Sequence, residues 1–319
     1  MNFGFRWCVR CSSRYLLTRS LWAHRTMLMF TTDFALREAI GDSVLRLAFP
    51  TPTLPPATTT NHYIVGDAQA VIVDPATPDA RSQEQLVAEV RRWRAPTQAL
   101  LLTHHHNDHI GAATALSARL KLPIWAHQET AALLRGRLTV DRYIDDGDAV
   151  AQDHAGCWTA LHTPGHAPGH LALMGPNREM VVGDLLAGQG TILIDPSDGH
   201  MGQYLASLRR LLDSEPAWLA PAHGPVLHDA AAAIEGYIQH RLAREAKVLD
   251  ALQLQVEQSE DALVAKAYAD TPRQLWPLAT RSMRAHLLWL QEQGKARQTH
   301  PNLWRKVDES PERSSSLGG

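Results

Sequence analysis

Short apolar runs alternate with amphipathic stretches through the middle of the chain. NHYIVG (61–66) and AVIVDP (70–75) are two apolar runs separated by Asp67 and Ala68, the pattern of a β-hairpin. EQLVAEVRRW (84–93) places Leu86, Val87, Val90 and Trp93 on one helical face. QALLLT (98–103) is continuously apolar, which predicts a strand buried on both sides. AATALSARL (112–120) returns to helical spacing, and LPIWAH (122–127) to a strand. WTALHT (158–163) and LALM (171–174) predict strands around a Pro/Gly-rich turn, and REMVVGD (178–184) another strand ending in an aspartate. QYLASLRRLL (203–212) turns Leu205, Leu208, Leu211 and Leu212 inward, and AWLAPAHGP (217–225) is a short strand that breaks at a histidine. From about residue 230 the pattern is helical in three stretches, followed by GKARQTHPNLWRKV, which predicts a β-wing. Three helices and a polar hairpin outline a small winged-helix unit.

Composition narrows the class. The chain has 319 residues, 45% hydrophobic and 20% charged, as expected of a globular protein with one large domain and a small appendage. A net charge of −2 gives no whole-molecule attraction to a polyanion. No apolar run approaches the roughly 18–20 residues of a membrane helix. Three cysteines do not make a disulfide framework, and Cys8-Val9-Arg10-Cys11 is a lone pair without a second. Residues 1–32 carry five arginines and no acid, which predicts either a transit-like extension or a mis-assigned start with the initiator at Met27 or Met29. The expected location is cytoplasmic, or mitochondrial if the extension is a transit peptide. Residues 50–60 are Pro/Thr-rich and extended, and 307–319 read as a disordered tail.

Histidine changes the picture. There are 17, and LLTHHHNDHIGA (101–112) holds four of them and an aspartate in six positions. A catalytic zinc site needs imidazoles and carboxylates around a tight centre with a position left for water. Four places just past predicted strands supply them: His104, His106, Asp108 and His109; His166 in TPGHAPGH; Asp184 in VVGD; and His223 in PAHGP. His104 and His106 are two apart, so in extended chain they point the same way and can chelate one ion. Asp108 and His109 lie where the chain turns into the next helix and can face a second ion. A carboxylate such as Asp184 could bridge the two. Seven ligands suit two ions and a shared hydroxide. His105, between two ligands, should point away from the ion they share. The residues alone leave His166 and His170 as alternative ligands. His62, His127, His200, His240 and His286 are expected to be structural, with His200 an alternative cleft residue, and His162 is expected to lie in the core. Cys157 is expected to be buried in a strand, and Asp74 to be a turn residue near the site.

THHHNDH, TPGHAPGH, VVGD and PAHGP, in that order, resemble the motifs of the metallo-β-lactamase superfamily. The resemblance covers about residues 42–230 and implies a four-layer αββα sandwich in the α/β class. It implies one metal on His104, His106 and His166, a second on Asp108, His109 and His223, and Asp184 as the bridge. GDLLAGQGTILIDPSDGHMGQYLASLRRL and the helices beyond PAHGP are similar to the β-lactamase-like protein 2 group. That group carries a C-terminal winged-helix-like domain, here expected over 231–306, and its characterised eukaryotic member is a mitochondrial endoribonuclease for single-stranded RNA.

The expected chemistry is therefore hydrolysis with two zinc ions, iron or manganese being alternatives for the same donor set. Asp108 is the expected catalytic residue, holding a metal and orienting or taking the proton of the attacking hydroxide. Two substrate classes stay open: single-stranded RNA, through phosphodiester hydrolysis, and a small ester or thioester of the glyoxalase II kind. A non-enzymatic nucleic-acid-binding protein is the third reading. Residues 240–306 hold eleven Lys and Arg against seven Asp and Glu, a modest excess for nucleic acid. No membrane partner is expected, and the oligomeric state stays open.

Overall fold

A computed structural model describes residues 36–308. The expected N-terminal extension, the lone CxxC, and all but the first two residues of the expected tail lie outside them.

The continuous apolar runs form strands with both faces buried. Seven strands make the first sheet in sequence order: β1 (Leu36–Ile40), β2 (Val44–Pro50), β3 (Thr59–Val65), β4 (Ala70–Val73), β5 (Thr97–Leu101), β6 (Ile124–Ala126) and β7 (Arg142–Tyr143). Pairing is antiparallel from β1 to β4 and parallel from β4 to β7. The second sheet runs β12 (Trp218–Pro221), β11 (Glu179–Gly183), β10 (Leu171–Met174), β9 (Gly156–His162) and β8 (Ala149–Asp153). β1, β2, β7 and β8 lie outside the strands that the hydrophobic pattern predicts. Two of these, β1 and β7, are short edge strands with exposed charged residues.

Period-two alternation builds the layers. Val71, Val73, Ala99 and Leu101 from the first sheet meet Trp158, Leu171, Leu173 and Val181 from the second in a shared core. Their neighbours Ile72, Leu100 and Leu102 face the opposite way, onto Leu86, Val87 and Val90 of α1 (Ala80–Arg92) and Leu116 of α3 (Ala113–Leu120). Met180 and Val182 likewise face away from the shared core, onto Leu205, Leu208 and Leu211 of α5 (Met201–Asp213) and Ile234 of α6 (Ala230–Ala251). The order is helix, sheet, sheet, helix, as the sequence resemblance implied. Two short helices sit in connections: α2 (Asn107–Ile110) and α4 (Gln128–Leu133).

Beyond the sandwich, α6, α7 (Glu260–Ala267) and α8 (Trp276–Glu292) pack around Val248, Leu263, Met283 and Leu287. A small sheet of β13 (Gln258–Ser259), β15 (Leu303–Lys306) and β14 (Ala296–His300) closes this winged helix, with Trp304 buried beneath it. Ala285 and Trp289 of α8 pack instead with the α5 layer, so one helix serves both cores.

Candidate metal centre

Three strand ends and one turn deliver the histidine motifs to a single edge of the sandwich. The first cluster follows β5, His166 lies in the turn between β9 and β10, Asp184 follows β11 and His223 follows β12. The two sheets are tied there by β3. The Asn61 side-chain amide donates to the carbonyls of Pro221 and Gly224 at 2.8 Å each, and the Tyr63 hydroxyl donates to that of Pro221 at 2.7 Å. These bonds hold the PAHGP turn against the opposite sheet.

All seven expected residues come together. His104 Nε2 lies 2.9 Å from His106 Nδ1 and 3.2 Å from His166 Nε2, and the latter two nitrogens are 3.0 Å apart. The three rings meet edge to face at 82–84°. Asp108, His109 and His223 form a second group with ligand atoms within 4.8 Å of one another. Asp184 spans both. Its Oδ2 is 3.5 Å from His166 Nε2 and 3.6 Å from His109 Nε2, and its Oδ1 is 3.4 Å from His223 Nε2.

Each ring's far nitrogen is spent on a fixed acceptor. His166 and His223 donate through Nδ1 to the carbonyls of Leu193 and Thr59, both at 3.0 Å. His106 donates through Nε2 to Asp198 at 2.8 Å. Asp74 organises the other two. It accepts from His109 Nδ1, the Thr103 amide and the Thr103 hydroxyl, each at 2.7 Å, and the Thr103 oxygen in turn faces His104 Nδ1 at 3.0 Å. Such bonds fix the tautomer and leave the inward nitrogens as bare lone pairs. His109 Nε2 and Asp184 Oδ1 are buried with no hydrogen-bond partner. Most buried polar atoms in proteins are paired, and these two unpaired atoms both lie within the cluster, where a cation would satisfy both. The residues fit a pair of metal ions: nitrogen and carboxylate oxygen, deep, convergent and pre-oriented.

The electrostatics agree. Burial, reinforced by charge on neighbouring imidazoles, holds His104 well below the ordinary histidine range, and burial lowers His166 to about 4. Burial would also lower His109, but Asp184 and Asp74 lift it well above its ordinary value. Burial would raise Asp184, but His223 and His109 hold it well below the carboxylate range. A carboxylate drawing protons onto the rings around it marks where positive charge is wanted.

Other histidines separate from the cluster. His170 is buried, faces Thr163 Oγ1 through Nδ1 at 2.9 Å and accepts the Asp184 amide at 3.1 Å; the turn offers His166, not His170, to the group. Gly183 makes that bond feasible. Its φ is +49°, and a Cβ there would lie 2.6 Å from His170 Nε2. His105 turns away from the cluster, and its Nε2 lies 3.1 Å from the Asp198 oxygen that also meets His106. His200 caps α5, accepting from the Gln203 amide, and pairs with Glu292 instead of lining the cleft. Two expectations need correction. Cys157 is exposed, because it falls on the outward face of β9 while Trp158 takes the buried one. His162 is partly exposed at the end of β9, stacked on His127.

A cleft of about 480 Å³ opens over the centre. One wall is Leu54, Pro55, Pro56 and Ala57; the other is the 187–198 loop, with Ile192 and Leu193. Thr53 enters beside it and donates to Asp108 Oδ2 at 2.5 Å. Sequence reasoning missed Thr53, Asp195, Asp198 and Arg281, all cleft residues. None sits in a histidine motif, and tertiary packing alone brings them in.

Residues 55–223, over half the chain, match the metallo-beta-lactamase superfamily. The chain belongs to that superfamily. Residues 259–304 match the beta-lactamase associated winged helix domain. A "Beta-lactamase-like protein 2 homolog" of Drosophila melanogaster is 27% identical over 81% of this chain and 91% of its own length. An "Atrochrysone carboxyl ACP thioesterase" of Claviceps purpurea is 30% identical over 67% of each chain. Among solved structures, a beta-lactamase domain protein from Burkholderia ambifaria superposes with TM-score 0.72 at 20% identity, covering 85% of this chain and 93% of that one. Superfamily membership makes the chain a hydrolase.

Proposed function

We propose that the chain is a dinuclear metal-dependent hydrolase of a small acyl ester or thioester. The observation that carries the dinuclear part is the donor set: seven convergent side chains, far ring nitrogens anchored, His109 Nε2 and Asp184 Oδ1 unpartnered, and Asp184 reaching both groups. His104, His106 and His166 would hold one ion, Asp108, His109 and His223 the other, and Asp184 both; zinc suits the donors, as do iron and manganese. Two such ions supply Lewis acidity and a water activated near neutral pH. Asp108, its Oδ2 held by Thr53, is positioned to orient the attacking water and accept its proton. The acyl C–S or C–O bond breaks as water adds, giving an acid and a thiol or alcohol.

The cleft's walls favour this substrate class. They are apolar on the Leu54–Ala57 side, and beyond the ligands they carry Asp195 and Asp198 against a single arginine. Flanking phosphates of a nucleic acid would meet more carboxylate than cation. The basic residues of the C-terminal helices are largely spent internally: Arg244 and Lys247 share Asp270, Arg284 holds Glu260, and Arg241 is buried. The single-stranded RNA reading keeps one support, the likeness to β-lactamase-like protein 2 homologs.

The test uses the full chain with an acyl thioester such as S-lactoylglutathione, simple aryl esters and labelled single-stranded RNA, each with and without chelator, beside elemental analysis. Chelator-sensitive acyl hydrolysis with two metal ions per chain is expected. Cleavage of RNA alone would replace the substrate class; hydrolysis that survives chelation in Asp108→Ala would overturn the mechanism.

A further inference from the structure

Among the described residues, one arginine and no lysine lines the cleft: Arg281. It does not come from the sandwich. It comes from α8, and the helix is set in place by several contacts along one face. Arg281, Ala285, Trp289 and Glu292 follow a helical spacing of four, four and three. Ala285 and Trp289 enter the α5 core. Trp289 packs against Gly202, where a Cβ would sit 2.5 Å from its ring. Glu292 meets His200 at 3.0 Å. With the rest of the face pinned, Arg281 is delivered to the cleft rim, where it meets the Asp195 carboxylate.

That partner does not exhaust it. A guanidinium has five N–H donors, and one carboxylate takes at most two of them. Among the described residues Arg281 has no other partner, and its side chain is half exposed beside the cleft. Asp195 is itself fixed by the Ser197 amide at 2.9 Å, so it holds the arginine in place over the opening. A rigid, planar donor fork at the mouth of an otherwise acidic and apolar cleft is the arrangement that binds a carboxylate or phosphate bidentately.

We propose that Arg281 is the specificity residue of this hydrolase: it anchors an anionic group, carboxylate or phosphate, carried by the substrate away from the scissile bond. The inference rests on the acyl-hydrolase reading and extends it, because it makes the winged-helix region part of the substrate site. The preferred substrates are acyl esters or thioesters with one negatively charged end.

Two measurements test it. The first is steady-state kinetics of the metal-loaded full chain on three matched aryl esters, with a neutral, a carboxylated and a phosphorylated acyl end. Arg281→Gln should raise KM for one or both charged esters tenfold or more, leave kcat within twofold, and leave the neutral ester unchanged; Arg281→Lys should recover part of the loss. Which charged ester responds identifies the anion. An equal change on all three, or none, would overturn the proposal. The second needs no turnover: line broadening of the corresponding free acids by chelator-treated protein, observed by NMR, should fall in Arg281→Gln for the doubly acidic products and not for the neutral-tailed one. If wild type hydrolyses no ester but broadening still depends on Arg281, the hydrolase reading fails and the anchor stands. If the neutral ester turns over and neither measurement depends on Arg281, the reverse holds.

Discussion

Two histidine clusters on this molecule look alike by distance and differ in kind. His127, Glu129 and His162 bring three potential ligand atoms within 4.8 Å of one another, as do the groups at the cleft. Yet the rings of His127 and His162 stack nearly parallel, 12° apart with centroids at 4.1 Å. Parallel rings aim their in-plane lone pairs side by side, not at a common point. Their nitrogens are also in use: His127 Nδ1 accepts from the Glu129 amide at the start of α4, and His162 Nε2 donates to the Pro168 carbonyl at 2.8 Å. At the cleft the rings cross near 83° and turn His104 Nε2, His106 Nδ1 and His166 Nε2 toward one another. Proximity is common in a histidine-rich chain; convergence with spent outer nitrogens is the mark of a built centre.

The sharpest way to break this contrast is to remove one ring from each cluster. His104→Ala or His106→Ala should cost bound metal and bring hydrolysis to background, whereas His127→Ala should leave metal content and turnover unchanged; elemental analysis and rate measurements read both. A third metal equivalent lost with His127 would erase the distinction. Next in size is Asp74→Ala, which cuts the outer support of His109 and, through Thr103, of His104. Metal affinity or activity should fall about 10–100-fold, the usual cost of removing such a partner. No fall would mean that the inward orientation needs no outer support.

A third histidine sharpens the comparison from the structural side. His62 is buried with both nitrogens used: Nδ1 donates to the Thr60 carbonyl and Nε2 accepts from the Ala76 and Thr77 amides, all at 3.0 Å. Burial lowers its pKa from 6.5 to about 4. The unfolded chain then binds the proton more tightly, so this stability is full above pH 6.5 and drains away as pH falls toward 4. The difference is about 3 kcal/mol at most. Urea melts across pH 4–7 should slope less steeply in His62→Gln than in wild type, and equal slopes would refute the assignment. The smallest effect belongs to His105→Ala, which should keep both metal ions because its ring turns from the centre toward Asp198.

The candidate ligand set was legible because each member sits in a local motif at the end of an apolar run. Strand ends fix direction, and the spacing within HHHND and VVGD fixes the rest. Asp74 was legible only as a turn residue near the site; its left-handed φ of 50° and its three bonds are tertiary facts. Asp198 and Arg281 were not legible at all. The first is a loop aspartate among several, and the second is one of eleven basic residues between positions 240 and 306. Nothing in their neighbourhoods of sequence says that α8 packs across α5 and reaches the cleft. The excess of basic residues suggested nucleic acid until the structure paired Arg244, Lys247 and Arg284 with acids of the same region.

Gly183 carries a consequence for how such a molecule can diverge over generations. With its φ of +49° and His170 Nε2 2.6 Å from where a Cβ would stand, it has no neutral neighbour among the other amino acids. The cleft wall at Leu54–Ala57 and the rim at Arg281 line the open cleft, and none of those residues has a positive φ. Selection can therefore explore new substrates by drifting along the rim while position 183 stays frozen.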